Sequence, residues 1–192
     1  MFHPPGCKPL YIQAILSSKF FPWTFLKKET KRTNRSAMHT SNPEMAEEKR
    51  VNLKAAKFQK YLDDNKLTFF RRDASNDEAD TIVFQSNIQV EGQTLPVIII
   101  TDSTIYTIIR VQVGAGLVKE DNHVKFGEYL NGLNRSYKVF KYVVAENGAV
   151  FLDACLPSTN ESFDPEVVRV VLDVIVDHLN QEYKNIMKEV WN

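Results

Sequence analysis

Few residues of this chain could carry nucleophilic or acid–base chemistry. Cys155 and Asp153 lie two apart in one apolar run, and His123 and His178 are the histidines of the C-terminal two thirds. A cysteine becomes a nucleophile when a base stands beside it in space. Cys155 alternates with Asp153 and Phe151 at the two-residue period of a strand, so it reads as a packed thiol. Asp153 reads as pointing to solvent or pairing across to Lys141, and His123 and His178 read as surface histidines. His3 and His39 fall in a leading tail. No two of these side chains stand at a metal-ligand spacing. Cys7 and Cys155 are too few and too far apart for a disulfide framework. Gly114-Ala115-Gly116 lacks the third glycine of a dinucleotide turn, and Lys119-Glu120 does not complete a phosphate loop. The pattern therefore assigns no catalytic, cofactor-binding or metal-binding residue. A small enzyme with a site around Cys155, Asp153 and His123 stands as an alternative.

Charge divides the 192 residues in two. Residues 1–43 hold seven lysines and arginines against Glu29, while residues 44–192 carry a net charge of −6. Phe69-Phe70-Arg71-Arg72 and Tyr137–Tyr142 mix aromatic and basic residues as single-strand nucleic-acid binders do. A body of net negative charge argues against that second alternative, because phosphate binding draws on clustered positive charge. In the leading segment, Lys19 and Pro22 interrupt the apolar stretch, so it fits neither a membrane span nor a secretory signal. Phe20, Phe21, Trp23 and the lysines after them would allow contact with a membrane surface. The segment 1–44 reads as a disordered basic extension. Met45-Ala46-Glu47-Glu48-Lys49 reads as a natural start, so residues 1–44 need not belong to the natural product. The domain is then 45–192, expected to be cytoplasmic. The sequons at Asn34, Asn134 and Asn160 read as chance occurrences.

The elements that must position any site follow from periodicity. Residues 46–64 predict an amphipathic helix with Val51, Ala55, Phe58 and Leu62 on its stripe and Lys54 away from it. Phe69–Asp73 predicts a short edge strand. Asp80–Val90 alternates Ile82, Phe84, Ile88 and Val90 against polar residues, and Glu91-Gly92-Gln93 is a turn. Thr94–Thr101 is a strand that Pro96 assigns to an edge or bulge. Thr104–Val113 follows, with Ile105, Thr107, Ile109 and Val111 on one face. Asp121 or Asn122 caps a second helix with a stripe of Phe126, Tyr129, Leu130 and Leu133, which Asn131-Gly132 and Asn134 favour ending. Tyr137–Ala145 and Ala149–Leu156 form a hairpin around Glu146-Asn147-Gly148. Asp164-Pro165-Glu166 opens a long helix, with aspartate as cap and proline in the first turn. The expected fold is an α+β two-layer sandwich. Its mainly antiparallel sheet has about five strands, in the order α-β-β-β-α-β-β-α.

The last helix has one feature that a two-layer fold does not require. Val168, Val171, Leu172, Ile175, Leu179, Ile186 and Val190 form its buried stripe. Val167, Val170 and Val174 add a second apolar face in its first half. A surface helix needs one such face, so the second is the candidate partner surface. It is covered either by another part of the chain or by a homodimer or protein partner.

The order of elements and several local motifs resemble the YbjN-type domain, a bacterial sensory transduction regulator family. The motifs are Leu130-Asn131-Gly132-Leu133-Asn134, the strand Tyr137-Lys138-Val139-Phe140, the turn Glu146-Asn147-Gly148, and Leu156-Pro157 before the last helix. The resemblance spans roughly residues 46–190. That family is similar in fold to type III secretion chaperones, α/β dimers that hold partner chains without catalysis. The resemblance implies a non-catalytic protein-interaction or regulatory module, chaperone-like. The residues themselves add the rest of the expectation: a protein partner or a second copy at the valine face, no cofactor for want of a binding motif, and no nucleic acid because the body is acidic.

Overall fold

Asn52 sets the start of the first helix, α1 (Leu53–Asp64). Its side-chain oxygen accepts from Ala55 N–H, and its amide donates to Asp80 O and Thr101 Oγ1. The short polar side chain satisfies a helix N–H that has no partner inside the helix, and here it also ties the helix to the loop at Asp80 and to the strand residue Thr101. The computed structural model describes residues 51–75 and 77–191, so the segment 1–44 and the expected boundary at Met45 lie outside the described residues. The helix begins later than its periodicity predicts. Val51 precedes it and is 58% exposed, while Ala55, Phe58 and Leu62 are buried.

Six strands make one antiparallel sheet in the order β1-β2-β3-β4-β6-β5: β1 (Arg71–Ala74), β2 (Ile82–Val90), β3 (Gln93–Thr101), β4 (Tyr106–Gly114), β5 (Lys141–Val144) and β6 (Val150–Pro157). Four of them precede α2 (His123–Ser136), and α3 (Pro165–Trp191) closes the chain. The α+β class is as expected, with six strands where the sequence suggested about five. β2 and β3 join through Glu91 and Gly92, both at positive φ, the backbone of a two-residue hairpin turn that matches the strand twist. The sequence suggested an edge or bulge position for Pro96; it lies in an interior strand, but at a point where that strand is locally an edge. β3 pairs with β4 only from Val97 to Thr101, so at Pro96 the strand has a neighbour on one side alone. A missing N–H is tolerated there.

Three further expectations change. Asn122 stands at the N-cap of α2, but its side chain makes no capping bond; it accepts from Lys119 N–H and donates to Leu117 O and Val190 O. The helix runs through Asn131-Gly132 to Ser136, since Leu130 and Leu133 continue to bury on the inner side. Tyr137–Phe140 is a link and not a strand, and β5 begins at Lys141. The Glu146-Asn147-Gly148 turn and the Asp164 cap stand where the sequence puts them: Gly148 has φ +74°, and Asp164 Oδ1 accepts from Glu166 N–H.

All three helices bury their apolar stripes in one core with Phe84, Ile99, Ile109, Val111 and Leu152 of the strands. Among the described residues, the other face of the sheet carries no helix. The outer edge of β5 is closed by Asn134, which accepts from Tyr142 N–H at 2.6 Å and donates to Tyr142 O at 3.1 Å. A side chain thus completes the strand pairing that an open edge would offer to another molecule. Asn134→Ala is expected to lower stability by about 1–3 kcal/mol, because both backbone groups lose their partners, and to raise the aggregation rate on heating. Unchanged melting and aggregation curves would show that the edge does not depend on this clip. Asn160 is similarly engaged, bonded to Leu53 N–H and Val51 O. Both sequon asparagines within the described residues therefore use their amides in the fold.

Candidate functional site

The α3 helix separates its two apolar faces cleanly. Val168, Ile175, Leu179 and Ile186 are among its buried residues. Val167, Val170 and Val174 are 48%, 46% and 44% exposed. Nothing among the described residues buries this second face. Polar residues border it on one side. Arg169 is clamped between Glu166 and Asp173, with Nη2 to Glu166 and Nη1 to Asp173 both at 2.5 Å. Glu166 also accepts from Tyr61 OH at 2.8 Å, and burial together with this bond pushes the tyrosine pKa up to about 12. Burial raises the Asp173 carboxyl above its ordinary value, although Arg169 opposes the shift. Asp177, one turn further on, is exposed and forms no hydrogen bond or ion pair among the described residues. Val139 is also exposed, and it immediately precedes Phe140, whose ring lies 4.8 Å from that of His178, one turn beyond Val174.

The residues read as chemical candidates are not brought together. Cys155 is an exposed free thiol and not the packed one expected: alternation along β6 turns Leu152 and Ala154 into the core and Cys155 out onto the helix-free face. Asp153, on that same face, pairs with Arg110 and not with Lys141. The guanidinium grips both carboxylate oxygens, at 2.8 and 2.6 Å, and this pairing raises the arginine pKa further. Arg110 also lies over the Phe151 ring, 5.0 Å from its centroid. Lys141 turns away to donate to Asn134 O and Tyr137 O. His123 is exposed at the start of α2, in the helical layer, with Nδ1 2.8 Å from Glu120 O. On the helix-free face the two ion pairs, Arg71 with Asp73 and Arg110 with Asp153, match each cation to a carboxylate. No group of three potential metal-ligating side chains forms among the described residues, and no described helix is long and apolar enough to cross a membrane.

Two buried polar residues escaped the sequence reading. His178, read as a surface histidine, is 3% exposed in α3. Its ring is surrounded by Tyr137, Phe140 and Tyr142; Nε2 lies 2.7 Å from Tyr142 OH, and Nδ1 has no partner among the described residues. Burial lowers its pKa. Lys54 is fully buried, its Nζ donating to Tyr106 O at 2.5 Å with Asp102 at 3.9 Å, and burial lowers its pKa as well. The signal for both was spacing. Lys54, Phe58 and Leu62 recur every four residues, and Val171, Ile175 and His178 fall at i, i+4 and i+7, so both polar residues lie on core stripes. An open groove of about 470 Å³ runs between α1 and the β1–β2 strands, lined by Lys60, Asp63, Asp64, Arg72 and Asp80 among others. Neither Cys155, Asp153 nor His123 borders it. No protein-family model matches this chain, and no curated protein matches it.

Proposed function

We propose that this chain is a non-catalytic protein-interaction module whose contact surface is the Val167–Val170–Val174 face of α3, where another protein or a second copy docks. The observation that carries this reading is the exposure of three valines on one face of a helix whose other face is wholly in the core. Removing about 25 cal/mol per Å² of such apolar surface from water favours association. The two-layer fold with one helix-free sheet face also agrees with the resemblance to the YbjN-type domain. On that resemblance the module is regulatory or chaperone-like and acts in the cytoplasm. Tyr137–Phe140, a link here, departs from the strand on which part of the resemblance rested.

Val170→Asp tests the reading. The side chain is exposed in a helix, so stability is expected to change by less than about 1 kcal/mol. Association is expected to be lost, both as partners recovered from native cells with the full chain and as any self-association in sedimentation. Recovery of the same partners and the same mass with a folded Val170→Asp protein would sink the proposal.

A further inference from the structure

We infer that the occupant of this face is a helix whose own apolar seam is flanked by lysine or arginine; the inference rests on the valine face being an interface and adds its chemistry. Val167 and Val174 are seven residues apart with Val170 three after the first, the a, d, a spacing of a helix–helix seam. The seam is one heptad long. Phe163, seven before Val170, is buried in the chain's own core, and Asp177, seven after Val170, takes the next d position. The flank on its solvent side, the g positions, holds exposed Glu166 and half-buried Asp173. Beside the valines, therefore, stand three carboxylates and one guanidinium, and Arg169 is already bound to Glu166 and Asp173. Asp177 would be covered by any helix lying along the seam, and a carboxylate losing water without a cation is strongly unfavourable.

A second copy answers this poorly. An antiparallel pair sets the Glu166 and Asp173 flanks of the two copies against each other. A parallel pair sets Asp177 against Asp177. A basic-flanked helix answers both, because its cations meet the local carboxylates Glu166, Asp173 and Asp177.

The experiment uses the full chain and two synthetic helical peptides with one shared leucine and valine seam. One carries lysine at the flanking positions, the other glutamate, and binding is read by fluorescence anisotropy. The lysine peptide is expected to bind at least tenfold tighter. Asp177→Lys is expected to cut that preference at least tenfold, and Val170→Asp to abolish binding. Equal affinities, tighter binding of the glutamate peptide, or no binding of either peptide overturns the inference. If Val170→Asp still abolishes a binding that shows no charge preference, the valine face survives as an interface and only its chemistry falls. Lysine-peptide binding that Val170→Asp leaves unchanged overturns both. A dimer of the chain that Val170→Asp dissolves overturns the basic helix in favour of a second copy. Should Val170→Asp fail to melt cooperatively, Val170→Ser supplies the same comparison.

Discussion

Gly148→Ala is expected to destabilise the protein by about 3 kcal/mol or more, and Gly92→Ala by only about 1 kcal/mol. Both glycines sit at positive φ, where a Cβ costs about 1–2 kcal/mol. They differ in their surroundings. A Cβ on Gly92 meets nothing within 4 Å, whereas one on Gly148 would stand 2.2 Å from the backbone oxygen of Val118. That oxygen cannot swing aside like a side-chain tip. Val118 N–H also donates to Gly148 O at 3.0 Å, so relieving the clash breaks the bond that holds the loop after β4 to the β5–β6 hairpin. The lost bond adds about 1 kcal/mol. Denaturant titration of the two variants side by side separates the clash from the backbone cost; equal losses would mean the contact with Val118 contributes nothing.

Acidification supplies the second large effect. The folded-state pKa of His178 lies below its ordinary value because burial among Tyr137, Phe140 and Tyr142 disfavours the cation, and the Glu182 carboxylate on its own helix only partly offsets this. Above pH 6.5 the imidazole is neutral in both states and contributes no pH dependence. As pH falls below 6.5 the unfolded chain takes up a proton that the folded one refuses. Stability therefore drops, by up to about 1.4 kcal/mol per pH unit, until the folded pKa is reached. The carboxylates with lowered pKa, Asp77, Glu161 and Glu166, lose their contribution only at lower pH, in the carboxylate range. His178→Phe should keep the aromatic packing and flatten the curve between pH 6.5 and 5. Parallel curves for this variant and the parent would refute the assignment.

What was legible in the sequence was what depends on local period. Ile82, Phe84, Ile88 and Val90, Thr107 through Val113 and the long stripe of α3 bury as their spacing says, because a strand alternates and a helix repeats wherever one face meets a core. What was not legible depends on which strand lies beside which. Pro96 reads as an edge residue until the short β3–β4 register shows why an interior strand accepts it. Asp153 could not be assigned to Arg110 before β4 and β6 were known to be neighbours. Cys155 reads as packed for a related reason. Its alternation was correct, but which of the two faces lacked helices was a tertiary matter. Lys54 and His178 read as surface residues by type alone, yet a polar side chain on a core stripe is buried when the fold supplies a partner such as Tyr106 O or Tyr142 OH. The valine face was legible as a pattern, and its solvent exposure became visible only with the helix in place.

The strand order has a consequence for how the chain reaches this structure. β1 to β4 pair in sequence, each with the next, as β5 does with β6. The β4–β6 ladder alone joins strands that are not consecutive, with α2 and β5 between them. Closing the longest loop carries the largest entropy cost, so this ladder forms late. Until it does, β4 is an unpaired edge with Ile109 and Val111 in the open, and a growing chain passes through that state before β6 is made. The docking of the β5–β6 hairpin onto β4 is then expected to set the folding rate. Slower refolding should follow from changes at the Ile109–Ala154 or Val111–Leu152 pairs, while changes within the β2–β3 hairpin should chiefly alter unfolding.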